Sequence, residues 1–340
     1  MKARSLLRAA GLCVASLAFS AAALAQAWPA KQPVRFVVPY PPGGASDVTA
    51  RLLSVKLTEA LGQAFVVENR PGANGLIALE YVAKSAPDGY TILMANLGPN
   101  AINPAVYRKL PYDAIKDFTP ITLTSVVPLV VLVQPSMPVN SMKELIAYAK
   151  AHPDKLTYAS AGNGSANHLA GEMMKSMAGF KMVHVPYKGD APGLQDTIAG
   201  NVSVIFPTVI GGMSQIKSGL LKPIAVTGAK RSSALGSVPT VAEGGIPNFE
   251  ANSWGGVMGP ANLPPEIVAR LNTEIVKILK QPETAAKLTS MGADIVGSTP
   301  EEFASYLKNE VAKWGKVAHE KQHHVGLSRE ASISRPCPAR

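Results

Sequence analysis

Two glycine-rich stretches hold the residue types most able to do chemistry: 34–47, reading VRFVVPYPPGGASD, and 159–168, reading ASAGNGSANH. In the first, a β-branched, apolar run stops at Pro41, Pro42, Gly43 and Gly44, then meets Ser46 and Asp47 ahead of a helical pattern. Prolines deny a strand its next ladder bonds. Glycines carry no Cβ, so the backbone turns tightly and comes close to a ligand. Ser46 or Asp47 is a good N-cap for the helix. The product is a strand, a glycine loop and a helix N-terminus whose free N–H groups point at one spot, a site for an anion such as a carboxylate. The second stretch repeats this logic, so the two loops are expected to face each other across a cleft.

Catalytic readings are weaker. Ser165 sits in G-N-G-S-A-N, not in the G-x-S-x-G elbow. A hydroxyl that donates to a ligand or caps a helix fits it better than a nucleophile. His168, three residues on, is placed either to touch a ligand or to cap and pack. Asp47 reads as an N-cap rather than a general base, because no paired acid is in view. Residues 72–75, GANG, lack the full G-x-G-x-x-G spacing, and there is no P-loop Lys-Ser or Lys-Thr, so nucleotide binding is not expected. His184, within an apolar strand, reads as a hydrogen-bonded core histidine. His319, His323 and His324 have helical spacing but no acidic or thiol partner pattern, so no metal is expected there. Met173, Met174 and Met177 read as core filler. No cofactor is expected.

These loops need elements to hold them. Strand and helix signals alternate through the first part: a helical face at Val48, Leu52, Val55 and Leu61, a strand at 65–67, a helix over 76–84 and a strand over 91–95. That alternation predicts an α/β fold with a parallel sheet. Residues 119–134 are long, apolar and β-branched, divided by Pro120 and Pro128, and are read as the crossing into a second lobe. Ser141 to Glu144 is a capping box. Strands follow at 157–159, 183–187, 202–206 and 224–227, with 211–218 helical and 224–227 read as the return strand. A strand near 253–258 precedes terminal helices, one starting at Pro264-Pro265-Glu266 and one at the capping box Thr299-Pro300-Glu301-Glu302. Lobe 1 is thus discontinuous, 26–123 and 229–318, and lobe 2 is 124–228.

The chain has 340 residues, 47% hydrophobic and 16% charged, enough for a sizeable core and roughly two domains. Its formal net charge is +10, but Lys2, Arg4 and Arg8 belong to a leader and most other basic residues are scattered. Aromatics make up 6% and never interleave with basic residues, which argues against nucleic-acid binding. Residues 1–25 read as a secretory signal peptide: a charged start, an apolar segment from Ala9 to Ala23, and cleavage after Ala25 or after Ala27. With Cys13 removed, Cys337 is the sole thiol, so no internal disulfide is expected. No later run is long enough to span a bilayer, and 126–133 suits a buried strand.

Several stretches together resemble the Bug family, the periplasmic solute-binding receptors of tripartite tricarboxylate transporters. They read WPAKQPVRFVVPYPPGGASDVTARLL, VVENRPGANG, APDGYTILMA, AINPAVYRKLPYD, YASAGNGSANHLAGEMM, VHVPYKGDAP, IAVTGAKRS, SVPTVAEGGIP and TPEEFASYL, and cover Trp28 to Val317. The resemblance implies a type II periplasmic-binding-protein fold, with two α/β lobes, two crossovers and a ligand in the cleft. It implies that Pro42, Gly43, Gly44, Ala45, Ser46 and Asp47 form one wall of a carboxylate site. Ser160, Gly164, Ser165 and His168 would act from the other, with Asn96 and Tyr187 as further contacts. Many relatives carry an aspartate in the strand matching 202–208, which here reads VSVIFPT. Without that acid, an organic mono- or dicarboxylate fits better than an amino acid, with Thr208 near its far end. The tail 319–340 departs from the family, has no apolar period and is expected to be disordered.

The resemblance therefore implies a monomeric periplasmic receptor, not an enzyme, that closes on a small organic carboxylate and docks on inner-membrane permease subunits. Two other readings stand beside it. One is a sensor that presents its closed form to a membrane kinase. The other is a hydrolase using Ser165 and His168, for which the elbow and a third orienting residue are missing.

Overall fold

The computed structural model describes residues 28–322 apart from 108 and 154. Its strands are β1 (Val34–Val38), β2 (Phe65–Asn69), β3 (Thr91–Asn96), β4 (Phe118–Pro128), β5 (Val130–Val133), β6 (Thr157–Ser160), β7 (Val183–Pro186), β8 (Val204–Ile205), β9 (Lys222–Val226), β10 (Asn252–Pro260) and β11 (Asp294–Ile295). The α-helices are α1 (Ala45–Leu61), α2 (Leu76–Ala83), α3 (Asn103–Val106), α4 (Met142–Ala151), α5 (Ala166–Ala178), α6 (Asp190–Ala199), α7 (Val209–Lys217), α8 (Pro265–Leu279), α9 (Pro282–Ser290) and α10 (Pro300–Gln322).

The strands form two sheets. The six-stranded sheet has the order β11-β4-β10-β3-β1-β2, and the five-stranded sheet β7-β6-β8-β5-β9. Within the first, β1 pairs in parallel with β2 and β3. Within the second, β6 pairs in parallel with β7 and β8. Strands covered on both faces read as apolar runs rather than alternating ones: β5 is VVLV throughout, and β1 is apolar except for Arg35. In the first sheet Phe36, Leu53 and Leu57 pack with Leu271 and Ile275 of α8 on one face, while Val37, Leu79, Leu93, Trp254 and Phe303 pack on the other. The second sheet buries Val131, Tyr158 and Phe206 against Leu145 and Met174 on one face, and Leu132, Ala159 and Ile205 against Leu194 and Val209 on the other.

The antiparallel strands carry the crossings. Pro128 ends β4 in the first sheet, and β5 begins two residues later in the second. The expected boundary at 123/124 is therefore corrected to Pro128–Leu129, because 124–128 complete the ladder with β10. The return is also later than expected. β9 pairs with β5 and stays in the second sheet. The segment after it stays too: Val241 N–H donates to Val226 O at 2.8 Å, and Val241, Ile246, Phe249 and Ala251 fill that lobe's core. Residues 229–251 thus belong with the second sheet, not the first, and β10 makes the return. Apolar anchors spaced along an irregular segment leave no period to read, which is why the sequence misplaced it.

Thr227, fully buried, fastens the two crossings together. Its Oγ1 accepts from Leu129 N–H at 2.8 Å and donates to Ala251 O at 2.5 Å. The capping box at the last helix forms as expected: Glu302 N–H donates to Thr299 Oγ1 at 3.1 Å, and Thr299 N–H donates to Glu302 Oε2 at 2.9 Å. That helix runs to Gln322, four residues into the tail expected to be disordered. The leader with Cys13, most of the tail, and Cys337, His323 and His324 lie outside the described residues. Among the described residues no helix is long and apolar enough to cross a membrane.

Candidate functional site

Three helix N-termini meet at a hollow of about 40 Å³ between the lobes. The first belongs to α1. Its N-cap is Gly44, in extended conformation and without a side-chain cap, not Ser46 or Asp47 as the sequence suggested. Asp47, one turn in, reaches back instead: it accepts from Gly43 N–H at 2.9 Å, from Arg51 Nε at 2.9 Å and from Asn69 Nδ2 at 3.0 Å. Burial alone would raise its pKa; the hydrogen bonds from Arg51, Gly43 and Asn69 outweigh that and hold the carboxyl below the usual range. Asp47 therefore clamps the loop from behind, leaving the first N–H groups of α1, at Ala45 and Ser46, directed at the hollow.

The second terminus belongs to α5. Ser165 is its N-cap: its Oγ accepts from His168 N–H at 3.3 Å and donates to Gly162 O at 2.6 Å. Gly162 and Gly164 hold φ of +126° and +78°, a region only glycine enters freely. Behind the loop, Gly164 N–H donates to His168 Nδ1 at 3.1 Å, so His168 carries its proton on Nε2. His168 stacks on His184, with ring centroids 4.1 Å apart, and His184 Nε2 lies 2.6 Å from Ser160 Oγ. Burial, then the neighbouring His168, drives the His184 pKa down to about 3. Burial likewise lowers that of His168.

The third terminus belongs to α7, capped by Thr208, whose Oγ1 accepts from Gly211 N–H at 3.2 Å. A fourth group enters at the start of α6. Asp190 follows Gly189, whose φ is +137°. Its Oδ1 accepts from Asn167 Nδ2 at 2.6 Å, and Asn167 Oδ1 accepts from Ala161 N–H at 3.2 Å. Burial pushes the Asp190 carboxyl up to about 6, with the Asn167 bond opposing the rise. Among the described residues no lysine or arginine lines the hollow, and helix N-termini and neutral donors stand ready to meet an anion there.

The comparisons with known proteins follow that geometry. Residues 49–322 match the family described as "Tripartite tricarboxylate transporter family receptor". The chain belongs to this family. Protein BugT of Bordetella pertussis is 34% identical over 321 residues, covering 94% of this chain and 98% of that one. An R. palustris protein solved with adipate shares 40% identity at a TM-score of 0.84, covering 86% of this chain and 97% of its own. The periplasmic binding protein BugD superposes with a TM-score of 0.82 at 33% identity, covering 86% and 98%. MatC from Rhodopseudomonas palustris with bound malate gives 0.81 at 30%, covering 85% and 99%. The two-lobed α/β architecture is that of these periplasmic solute receptors.

In this receptor, six of the residues singled out from the sequence line the hollow: Gly44, Ala45, Ser46, Asn96, Ser165 and Thr208. Asn96 is fixed there by donating through Nδ2 to Trp254 O at 3.1 Å. The others stand elsewhere. Pro42 and Gly43 are exposed on the outer side of the first loop, with Asp47 behind it. Ser160 and His168 sit behind the second loop, and Gly164, whose N–H points back to His168, turns its Cα towards Val106 and Asn103 of the facing lobe. Tyr187 turns its hydroxyl away to donate to Asp196 Oδ2 at 2.6 Å. Sequence reasoning missed Tyr40, Leu129, Asn167, Asp190 and Ser253, which also line the hollow. Asp190 carried a signal: VPYKGD is a third strand–glycine–helix junction, and its acid in a first helical turn reads as simple dipole complement. Among the described residues no group of three or more His, Cys, Asp or Glu is placed to hold a metal ion.

Proposed function

We propose that the chain is a periplasmic receptor that closes on a small organic carboxylate and presents it to the membrane subunits of a tripartite tricarboxylate transporter. The observation that carries this reading is the convergence of the α1, α5 and α7 N-termini on one hollow that no cationic side chain lines among the described residues. Free N–H groups and helix dipoles favour a carboxylate there. Relatives solved with adipate and with malate support the same class. Ser46, Asn96 and Thr208 would supply the hydroxyl and amide contacts, while Ser165, its hydrogen donated to Gly162 O, holds the second loop in shape.

The walls already touch. A Cβ on Gly164 would lie 3.1 Å from Val106 Cγ2 and 3.3 Å from Asn103 Oδ1 of the facing lobe. Ligand capture is then a shift between open and shut forms about the two crossings, with no bond made or broken. Titration calorimetry of the signal-free chain against four- to six-carbon carboxylates tests the reading. A binder is expected, and Gly44→Val should abolish its binding, because a side chain there enters open space beside the hollow rather than other atoms. Absence of any carboxylate binder, or binding undisturbed in Gly44→Val, would refute it. Delivery is tested by uptake: cells lacking the receptor should lose transport of the carboxylate so identified.

A further inference from the structure

Asp190 is a half-buried acid in a cleft otherwise built to hold an anion. One oxygen is occupied by Asn167, while Oδ2 has no hydrogen-bond partner among the described residues and faces the hollow. Its position relative to the opposite lobe is fixed by one geometric coincidence. The point that a Cβ on Gly211 would occupy is 3.2 Å from Thr208 Oγ1, 3.6 Å from Ala45 N and 3.6 Å from Asp190 Oδ2. Ala45 opens α1, so its N–H has no partner inside the helix and is a donor. Thr208 Oγ1 already accepts from Gly211 N–H, which leaves its own hydrogen to donate. Two donors and one acceptor therefore lie close together beside Gly211, where one ligand group in the adjoining hollow can reach all three.

We infer that Asp190 is a specificity-determining residue of the cleft, selecting carboxylates that bring a second group with an O–H, either a hydroxyl or a protonated carboxyl. Such a group accepts from Ala45 N–H and Thr208 O–H while donating to Asp190 Oδ2. An ammonium satisfies only Asp190 and leaves both donors unmet. A bare second carboxylate satisfies the donors but sets two like charges together, so a proton must be taken up and shared. Among the described residues the titratable groups lining the hollow are Asp190 and Tyr40, and Tyr40 spends its hydroxyl on Asn74 Oδ1 at 3.0 Å. Lys188, on the preceding turn, is exposed. Protonation on binding therefore falls on the pair formed by Asp190 and the ligand. The inference rests on the carboxylate-receptor reading and narrows it.

The test is titration calorimetry with malate, succinate and aspartate, which carry a hydroxyl, nothing and an ammonium on one four-carbon frame, and with adipate as a longer plain diacid. At about pH 8, malate should bind about tenfold tighter than succinate, the worth of one hydrogen bond to a charged group. From about pH 8 down to about pH 5.5 the plain diacids should tighten, with proton uptake on binding approaching one near pH 8 and shrinking towards pH 5.5, where the free Asp190 is already largely protonated, read from buffers of different ionisation heat. The first result identifies the hydroxyl arm and the second the protonated-carboxyl arm; either supports the assignment. Asp190→Asn, which keeps the acceptor for Asn167, should remove the malate preference and the pH dependence together. The proton count on the unaltered chain needs no variant to fold. Aspartate as the tightest ligand, or a ranking and pH dependence unchanged in Asp190→Asn, would overturn the inference while leaving the receptor reading intact. Failure of all four acids to bind the unaltered chain would overturn both.

Discussion

At the scale of single residues, polar side chains set the loops rather than filling the hollow. Asp47 is the clearest case, since one carboxylate holds Gly43, Arg51 and Asn69. Asp47→Ala should lower stability by about 1–3 kcal/mol, the cost of stranding those donors, and weaken ligand binding by freeing the first loop. The folded pKa of Asp47 is depressed, so its contribution is present above the ordinary carboxylate range near 4 and lost as pH falls through the folded value. Urea unfolding of both chains at neutral and acid pH should show the gap between them closing in acid. The histidine pair carries the same direction of dependence for a different reason. With His184 held near 3, the unfolded chain binds the proton first as pH drops below about 6.5. Stability should therefore fall from about pH 6.5 towards 3, and His184→Phe should flatten that slope.

At the scale of elements, each wall is a strand whose end delivers a helix N-terminus, through a glycine turn at α1 and α5 and through Phe206-Pro207-Thr208 at α7. The cap chemistry differs from wall to wall: a back-reaching acid at α1, a serine at α5, a threonine at α7. Ser165→Ala should cost about 1 kcal/mol through the lost cap, and also release Gly162 O, so the loop should exchange its amide hydrogens faster. The crossings are held by one hydroxyl. Thr227→Val removes both the acceptor for Leu129 N–H and the donor to Ala251 O. Leaving two buried backbone groups unmet should cost about 2–4 kcal/mol, seen as a lower melting temperature, whereas Thr227→Ser should retain most of it.

At the scale of the whole molecule, closure depends on glycines of one lobe meeting the other. A Cβ on Gly189 would lie 2.5 Å from Pro41 Cδ, and one on Gly162 would lie 3.8 Å from Asn74 Cβ. Gly189→Ala adds a clash in the shut form alone, and its φ of +137° adds backbone strain. It should lower ligand affinity at least tenfold while scattering measurements report a more open average shape. The half-buried Asp190 acts on the same balance. Its folded pKa is raised to about 6, so the shut, empty form is penalised above that pH and relieved below it. Asp190→Asn should therefore raise the shut population of the unliganded chain near neutral pH.

The sequence alone determined what local rules govern. Proline and glycine punctuation marked the two loops, apolar runs marked β1, β4 and β5, and the Ser165 and Thr299 caps were legible because a cap depends on neighbours a few residues away. Tertiary structure decided what distance along the chain conceals. It showed that Asp190, outside both loops, meets Ala45 of the opposite lobe across the hollow, and that Tyr187 faces Asp196 rather than the cleft. It also kept 229–251 with the second sheet. Which side of a loop meets the hollow follows from packing between lobes, and no periodicity within a segment encodes that.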